Sequence, residues 1–236
     1  MSSYYIWTIG CQMNVSDSQR LSGALEELGY RPAERMEDAD VMILNTCVVR
    51  QSAENKVIGR LNSLKSVKRV RPDSLLVVLG CFVGQNAGHE PLLRDYPHVD
   101  MLLGPSQIAP LIEHLAQKGA AGAEPVRVPR ASTSPICGYT TIIHGCNNFC
   151  SYCIVPHRRG AEVSRPVDEI VAEIAELVRG GAREITLLGQ NVDSYGRDLP
   201  GRPTLAALLR AVHEIDGLWR IRFLTSHPKD MTPQLI

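Results

Sequence analysis

The sequence has no net charge, because its 25 lysines and arginines equal its 25 aspartates and glutamates. Proteins that bind nucleic acids usually show a basic excess or a basic patch. Nothing in the overall composition indicates one, and basic residues gather in only two places. The first group reads as a solvated helix face, and the second follows a cysteine-rich loop. The groups are Arg60, Lys65, Lys68, Arg69 and Arg71, and then Arg158, Arg159 and Arg165.

Long hydrophobic runs are also missing. The longest ones, such as Leu75–Leu79, are far too short to cross a bilayer, and residues 1–7 lack the features of a signal peptide. We therefore expect a cytoplasmic protein with no membrane partner. Hydrophobic residues make up 44% of the chain, which indicates a globular fold. Seven cysteines in a reducing compartment favour metal binding or catalysis over disulfides.

The densest group of cysteines is Cys146, Cys150 and Cys153, within a run of eight residues. Thiolates at this spacing select zinc or an iron–sulfur cluster. Structural zinc sites and iron–sulfur clusters usually take four protein ligands, so three would leave one position open. Buried structural cysteines are the alternative, but they fit poorly with a run that follows Gly145 and contains two asparagines and a serine.

The N-terminal segment, residues 1–118, alternates strand patterns with helical patterns. This alternation predicts a parallel, doubly wound α/β sheet. Asn14 or Ser16 is the expected N-cap of the first helix. Strands are predicted at Tyr4–Ile9, Val41–Asn45, Leu75–Leu79 and Val99–Leu103, and helices at 14–28, 49–67 and 105–118.

Cys11, Cys47 and Cys81 each follow one of the first three predicted strands. Because the carboxyl ends of parallel strands lie at one edge of a sheet, where ligands bind, these thiols should converge on one rim. We therefore predict a second metal or cluster site there. Gly10 and Gly80 would let the backbone turn tightly beside a bulky group.

Residues 119–137 have the composition of a linker, and Cys137 at its end is predicted to be structural or incidental, not a ligand. The last segment, 138–236, predicts the βαβαβ start of a barrel of the TIM kind. Residues 189–191 and 225–227 follow two of its strands, and turn chemistry or helix capping is their alternative role. Its strands are predicted at 139–144, 184–188 and 220–224, and its helices at 166–180 and 204–215.

The loop of three cysteines, with Tyr152 before the last of them, resembles the signature of radical S-adenosylmethionine enzymes. The stretches 9–14, 44–50 and 79–81, around the other three cysteines, resemble the N-terminal domain of methylthiotransferases, which is similar to flavodoxin in fold. Nearly the whole chain is therefore similar to the radical S-adenosylmethionine methylthiotransferases. The resemblance implies a flavodoxin-like domain followed by the first part of a partial (β/α) barrel, and a sequence that is the N-terminal part of a longer enzyme.

This resemblance also implies the ligands of the cofactors. In the family, thiolates corresponding to Cys146, Cys150 and Cys153 hold a [4Fe-4S] cluster whose open iron binds S-adenosylmethionine, and those corresponding to Cys11, Cys47 and Cys81 hold a second [4Fe-4S] cluster. Tyr152 would lie near the adenine of the cofactor. Gly189, Gln190 and Ser226 are expected to contact the cofactor, and Arg158 and Arg159 to contact phosphate or carboxylate.

The implied reaction adds a methylthio group to carbon 2 of N6-dimethylallyladenosine next to the anticodon of tRNA. It would use an electron donor such as flavodoxin or ferredoxin, and we expect a monomer. The alternatives are a methylthiotransferase that acts on a ribosomal-protein aspartate or on threonylcarbamoyl-adenosine in tRNA, and an inactive module that binds zinc or an iron–sulfur cluster.

Overall fold

The computed structural model describes residues 2–85, 90–118 and 136–236, and these form two compact units. The first unit holds the described residues up to Lys118 together with His157–Arg159. The second holds residues 136–156 and 160–236. The predicted linker lies outside the described residues except for its last two positions. No helix in the described ranges is long and apolar enough to span a bilayer.

The first unit is built on a five-stranded sheet. Its elements are β1 (Ser3–Thr8), α1 (Gln12–Glu27), β2 (Arg31–Pro32), β3 (Val41–Thr46), α2 (Gln51–Val70), β4 (Leu75–Gly80), α3 (Glu90–Asp95), β5 (Met101–Leu103) and α4 (Ala109–Lys118).

All pairings in this sheet are parallel, and the strand order is β2-β1-β3-β4-β5. This is the order of flavodoxin-like sheets, so the predicted fold class is confirmed. All six residues of β3 are buried, as expected for a central parallel strand that is covered on both faces. In such sheets ligands bind at the carboxyl ends near the point where the strand order reverses, which here lies between β1 and β3.

Several predicted details of the first unit are wrong. Cys11 is the N-cap of α1, so Asn14 and Ser16 lie inside the helix, where both are buried. The sequence missed β2, which has only two exposed residues, and α3, which buries none of its six. The last helix begins at Ala109 and not at residue 105, because a preceding turn is closed by a hydrogen bond from the Gly104 amide to the side chain of Gln107.

The second unit contains a smaller sheet. Its elements are β6 (Cys137–Thr141), β7 (Ile143–His144), α5 (Val155–Arg159, whose last three residues belong to the first unit), β8 (Val163–Ser164), α6 (Val167–Arg179), β9 (Glu184–Leu188), α7 (Leu205–His213) and β10 (Arg220–Leu224).

Strands β10, β9 and β6 form a parallel sheet in that order, as the βαβαβ pattern predicts. The strand predicted over 139–144 is divided at Ile142, whose amide still bonds to Leu188 while its carbonyl accepts from Arg165. From there the chain pairs as β7 with the antiparallel β8. Residues of α6, β9 and α7, such as Ile174, Ile185 and Leu208, pack together as the core of this unit.

Candidate metal centres

The N-terminal trio is the set of thiols Cys11, Cys47 and Cys81, which follow β1, β3 and β4 respectively. Because β1 pairs with β3 and β3 pairs with β4, these three strand ends lie side by side. Cys47 and Cys81 are buried, and Cys11 is exposed. The structure thus brings the three thiols to the carboxyl edge of one sheet, where the sequence placed them.

Burial and neighbouring charges both affect the pKa of Cys81. Burial raises the pKa of the Cys81 thiol, and negative charge on Cys47 or Cys11 raises it further. The guanidinium of Arg159 acts in the opposite direction. Each of these groups therefore lies within electrostatic range of Cys81.

Two glycines make room at this edge. A Cβ on Gly10, whose φ is +142°, would lie 3.0 Å from the Cβ of Cys47. A Cβ on Gly80, whose φ is +103°, would lie only 2.5 Å from the carbonyl oxygen of Thr46. No other residue fits either position without displacing the chain beside a thiol.

A buried amide network fixes the start of α1 against the end of β3. The Asn14 side chain donates to the Thr46 carbonyl and to Asn45 Oδ1, both at 2.9 Å. In return, Asn45 Nδ2 donates to the Asn14 carbonyl at 2.8 Å. The Sγ of Cys11 donates to Asn14 Oδ1 at 3.4 Å, so this network also orients the first thiol. It explains why Asn14 lies inside the helix and is not its cap.

Arg159, in the first unit, makes contacts that the sequence did not reveal. Its Nε donates to Cys81 Sγ at 3.2 Å, and its Nη2 donates to Asn14 Oδ1 at 3.1 Å. The predicted partner is a phosphate or carboxylate. The carboxylate of Asp17 is within electrostatic range, but the directional contacts are to two sulfur atoms and an amide oxygen. The only signal in the sequence was the position of Arg159 just after the cysteine loop.

The loop trio is the set of thiols Cys146, Cys150 and Cys153 in the second unit. Cys146 is buried and the other two are partly exposed. Burial raises the pKa of Cys146, and negative charge on Glu162, Cys153 or Cys150 would raise it further. The Cys153 amide donates to the Cys150 carbonyl at 2.9 Å, so a tight turn links the last two thiols.

A backbone clamp closes the loop that carries this trio. The Cys146 amide donates to the Gly160 carbonyl at 3.1 Å. A Cβ on Gly145 would lie 1.9 Å from the carbonyl oxygen of Ala161, so the two segments approach as only glycine allows. Asn147 and Glu162 then exchange two side-chain to backbone hydrogen bonds, at 3.1 and 3.3 Å.

The residues predicted to contact S-adenosylmethionine occupy different environments. Tyr152 is 90% exposed, so its ring is open to a ligand. A Cβ on Gly189 would lie 2.5 Å from Ile143 Cγ2, which shows close packing at the end of β9. Gln190 is half-buried beside it. The Ser226 hydroxyl donates to Asp193 Oδ1 at 3.1 Å. Their contact with a cofactor stays a prediction.

A polar cluster beyond β9 and β10 was not foreseen. The buried carboxylate of Asp230 accepts hydrogen bonds from Asn191, Arg197 and Lys229, each at 2.7 Å. Burial alone would raise the pKa of Asp230, but the hydrogen bonds from Lys229, Asn191 and Arg197 outweigh it and lower the pKa to about 2. Only tertiary contacts reveal this cluster, because Asn191 and Arg197 lie 39 and 33 residues before Asp230 in the sequence.

The donor atoms of the two trios limit which metal groups these residues could hold. In the described part of the chain, no group of three or more Cys, His, Asp or Glu side chains is arranged to hold one metal ion. The thiolates of an iron–sulfur cluster bind different irons, so they need not converge on one point. An all-thiolate donor set fits an iron–sulfur cluster and also fits zinc.

Comparisons with known proteins identify the class to which this fold and these thiols belong. Residues 3–104 match the uncharacterized protein family UPF0004, and residues 140–235 match the radical SAM superfamily. The chain therefore belongs to the family of radical S-adenosylmethionine proteins in which a UPF0004 domain precedes the radical SAM domain. Membership of the superfamily implies S-adenosylmethionine and an iron–sulfur cluster.

Two similar curated proteins bear the name tRNA-2-methylthio-N(6)-dimethylallyladenosine synthase. The chain is 51% identical to the one from Roseiflexus sp. and 50% identical to the one from Chloroflexus aurantiacus, each over 99% of its length. It covers 49% and 50% of those relatives, so it spans about half their length. The family that the motifs predicted is confirmed.

A solved structure supports the fold alone. This is the radical S-adenosylmethionine methyltransferase TsrM from Kitasatospora setae, solved with tryptophan and a cofactor analogue. It matches 89% of this chain and 50% of its own, with a TM-score of 0.52 and 14% identity.

Proposed function

We propose that this chain acts in the transfer of a methylthio group to carbon 2 of N6-dimethylallyladenosine, next to the anticodon of tRNA. The observation that carries the proposal is the presence of two separate thiol trios. One follows the carboxyl ends of three parallel strands, and the other lies in the loop after β7. Relatives at about 50% identity over nearly the whole chain bear the name of this activity, which supports the choice of substrate.

In this proposal each trio holds a [4Fe-4S] cluster, and the loop trio leaves one iron open for S-adenosylmethionine. The chemistry that these groups supply when bound is radical activation of a carbon–hydrogen bond and the insertion of sulfur. The protein orients them: the clamp at Gly145 holds the loop, and the exposed ring of Tyr152 offers a face to the adenine. The other residues proposed to contact the cofactor are Gly189, Gln190 and Ser226.

The proposed partners are tRNA and an electron donor such as flavodoxin or ferredoxin. We expect a cytoplasmic monomer, which size-exclusion chromatography with light scattering checks. A second cluster, bound by the N-terminal trio, distinguishes this proposal from that of a radical enzyme with one cluster.

Mass spectrometry of tRNA nucleosides tests the reaction. A strain that lacks the gene should lose the 2-methylthio form of N6-dimethylallyladenosine and accumulate the unmodified precursor. Complementation with the intact gene or with Cys137→Ala should restore the product, whereas Cys11→Ala and Cys146→Ala should not. Cys137 is the matched control because it starts β6 and belongs to neither trio.

Three results would contradict the proposal. Unchanged tRNA in the deletion strain would exclude this substrate. Loss of methylthiolation only on a ribosomal-protein aspartate or on threonylcarbamoyl-adenosine would show that the chain catalyses one of the alternative reactions instead. Zinc without sulfide in anaerobically purified protein would favour the inactive module.

A further inference from the structure

The guanidinium of Arg159 is the buried cation beside the N-terminal trio. Arg159 is 4% exposed and belongs to the first unit. Each of its three nitrogens faces an acceptor in that unit. Nε donates to Cys81 Sγ at 3.2 Å, Nη2 to Asn14 Oδ1 at 3.1 Å, and Nη1 to Met13 Sδ at 3.7 Å. Two of the three partners are therefore sulfur atoms.

The charge of this guanidinium has no direct counter-ion among the described residues. A buried cation is costly unless an anion lies nearby. No described carboxylate forms an ion pair with Arg159. The carboxylate of Asp17 raises the pKa of Arg159 from a distance, but its Oδ2 accepts a hydrogen bond from the Ser106 hydroxyl at 2.8 Å. The guanidinium instead donates to the sulfur of Cys81, so a thiolate-ligated group bound there would supply the missing negative charge.

The shape of the arginine side chain matters as well as its charge. Its planar fork reaches Cys81 at the end of β4 and Asn14 on α1 at the same time. Asn14 is itself bonded to the end of β3. Arginine can hold both partners in one plane, which the single ammonium of lysine cannot do.

We propose that Arg159 is a positioning residue for the N-terminal trio: it holds Cys81 by an N–H···S hydrogen bond and tunes the reduction potential of a cluster bound there. This inference rests on the proposed function, because it assumes that the trio binds an iron–sulfur cluster. Hydrogen bonds to cluster sulfurs and nearby charge are known determinants of cluster potential. Since reduction adds negative charge, a buried guanidinium stabilises the reduced form and raises the potential.

The test uses the full chain with Cys146, Cys150 and Cys153 replaced by alanine, so that only the N-terminal cluster gives a signal. Arg159→Gln, Arg159→Lys and the control Arg158→Gln are made in this parent. Arg158 is a suitable control because it is the adjacent arginine, and its backbone carbonyl, which accepts from Gln85, is unchanged by substitution. Reduction is followed by electron paramagnetic resonance during an anaerobic redox titration, and iron loss is timed with a chelator.

Arg159→Gln should lower the potential and release iron about tenfold faster or more, as for other residues that support metal ligands. Arg159→Lys should keep the potential closer to the parent, because the charge remains, but should also lose iron faster. If Arg159→Gln holds no cluster, the reduction potential and the rate of iron loss of Arg159→Lys alone test the inference. Arg158→Gln should match the parent in both.

Two outcomes would overturn the inference, and they are distinguishable. A cluster with the same potential and the same rate of iron loss in parent, Arg159→Gln and Arg159→Lys would remove the role of Arg159 but leave the proposed function intact. A parent that binds neither iron nor sulfide would overturn the second cluster itself, and with it the role of Arg159.

Discussion

The two thiol trios are assembled in different ways. The cysteines of the N-terminal trio are 36 and 34 residues apart in sequence and meet because parallel strands end at one edge. The loop trio lies within eight residues and is positioned by a backbone clamp. The N-terminal trio has two buried thiols, an amide network and a buried cation. The loop trio has one buried and two partly exposed thiols, in a loop that also carries the exposed aromatic rings of Phe149 and Tyr152.

This difference indicates which substitutions each site tolerates. The loop trio depends on a few local contacts, so a single substitution in the clamp should abolish it while the first unit stays folded. The N-terminal trio depends on the fold of its sheet, so lesions there should lower stability and cluster binding together.

The largest effect is expected for Gly145→Ala. Its Cβ would lie 1.9 Å from the Ala161 carbonyl oxygen, so the clamp must open. Gly201→Ala is the matched control, since Gly201 has the same φ of +73° but nothing within 4 Å. The control should lose only about 1 kcal/mol from backbone strain. Gly145→Ala should lose considerably more and release the iron of the loop trio alone, measured by denaturation and iron analysis. Equal behaviour of the two variants would contradict the role of the clamp.

The next effect concerns the amide network of the first unit. Asn14→Ala removes the donor to Thr46 and Asn45. The Thr46 carbonyl keeps the hydrogen bond from the Cys81 amide, but the buried Oδ1 of Asn45 is left unsatisfied. It should lower the free energy of unfolding of this unit by about 2–3 kcal/mol and weaken its cluster. Asn62→Ala, on the exposed surface of α2, should change little. Urea denaturation and iron analysis measure the two effects. A loss of stability with cluster binding unchanged would show that the site does not depend on the network.

A comparable polar cluster in the second unit surrounds Asp230. The pKa of Asp230 falls from 3.8 to about 2 on folding. Its contribution to the free energy of unfolding is therefore complete above the unfolded pKa and is lost as the pH falls from about 4 to 2. Asp230→Asn should cost about 2 kcal/mol at pH 7 and flatten this acid loss. The exposed Asp216→Asn is the control. Denaturation at pH 7 and pH 3 measures both, and a variant as acid-sensitive as the wild type would refute the assignment.

The smallest effect is expected for Tyr152→Ala, because the ring is 90% exposed and packs against little. Stability should change by less than about 0.5 kcal/mol. Binding of S-adenosylmethionine to anaerobically reconstituted protein should weaken by about 1 kcal/mol, the scale of aromatic stacking. Trp219→Ala, 81% exposed in the same unit, should leave binding unchanged. Equal binding by wild type and Tyr152→Ala would remove the tyrosine from the cofactor site.

The sequence predicted what periodicity and spacing encode. Buried runs such as Glu184–Leu188 were found with their observed bounds, and the order of strands and cysteines led to one sheet edge. It did not predict β2 or α3, which bury little, or the break at Ile142, which depends on pairing with Arg165. It also could not reveal Arg159 beside Cys81, because 78 residues separate them and only the tertiary fold joins them.

The central claim is that six thiols form two independent cluster sites, and counting iron and sulfide tests it most directly. Anaerobically purified and reconstituted wild type should hold about eight irons and eight sulfides per chain, as two [4Fe-4S] clusters require. Replacing either trio with alanines should leave about four of each, and Cys137→Ala should leave all of them. Loss of both clusters in a correctly folded single-trio variant, or an iron content that neither replacement changes, would contradict the account.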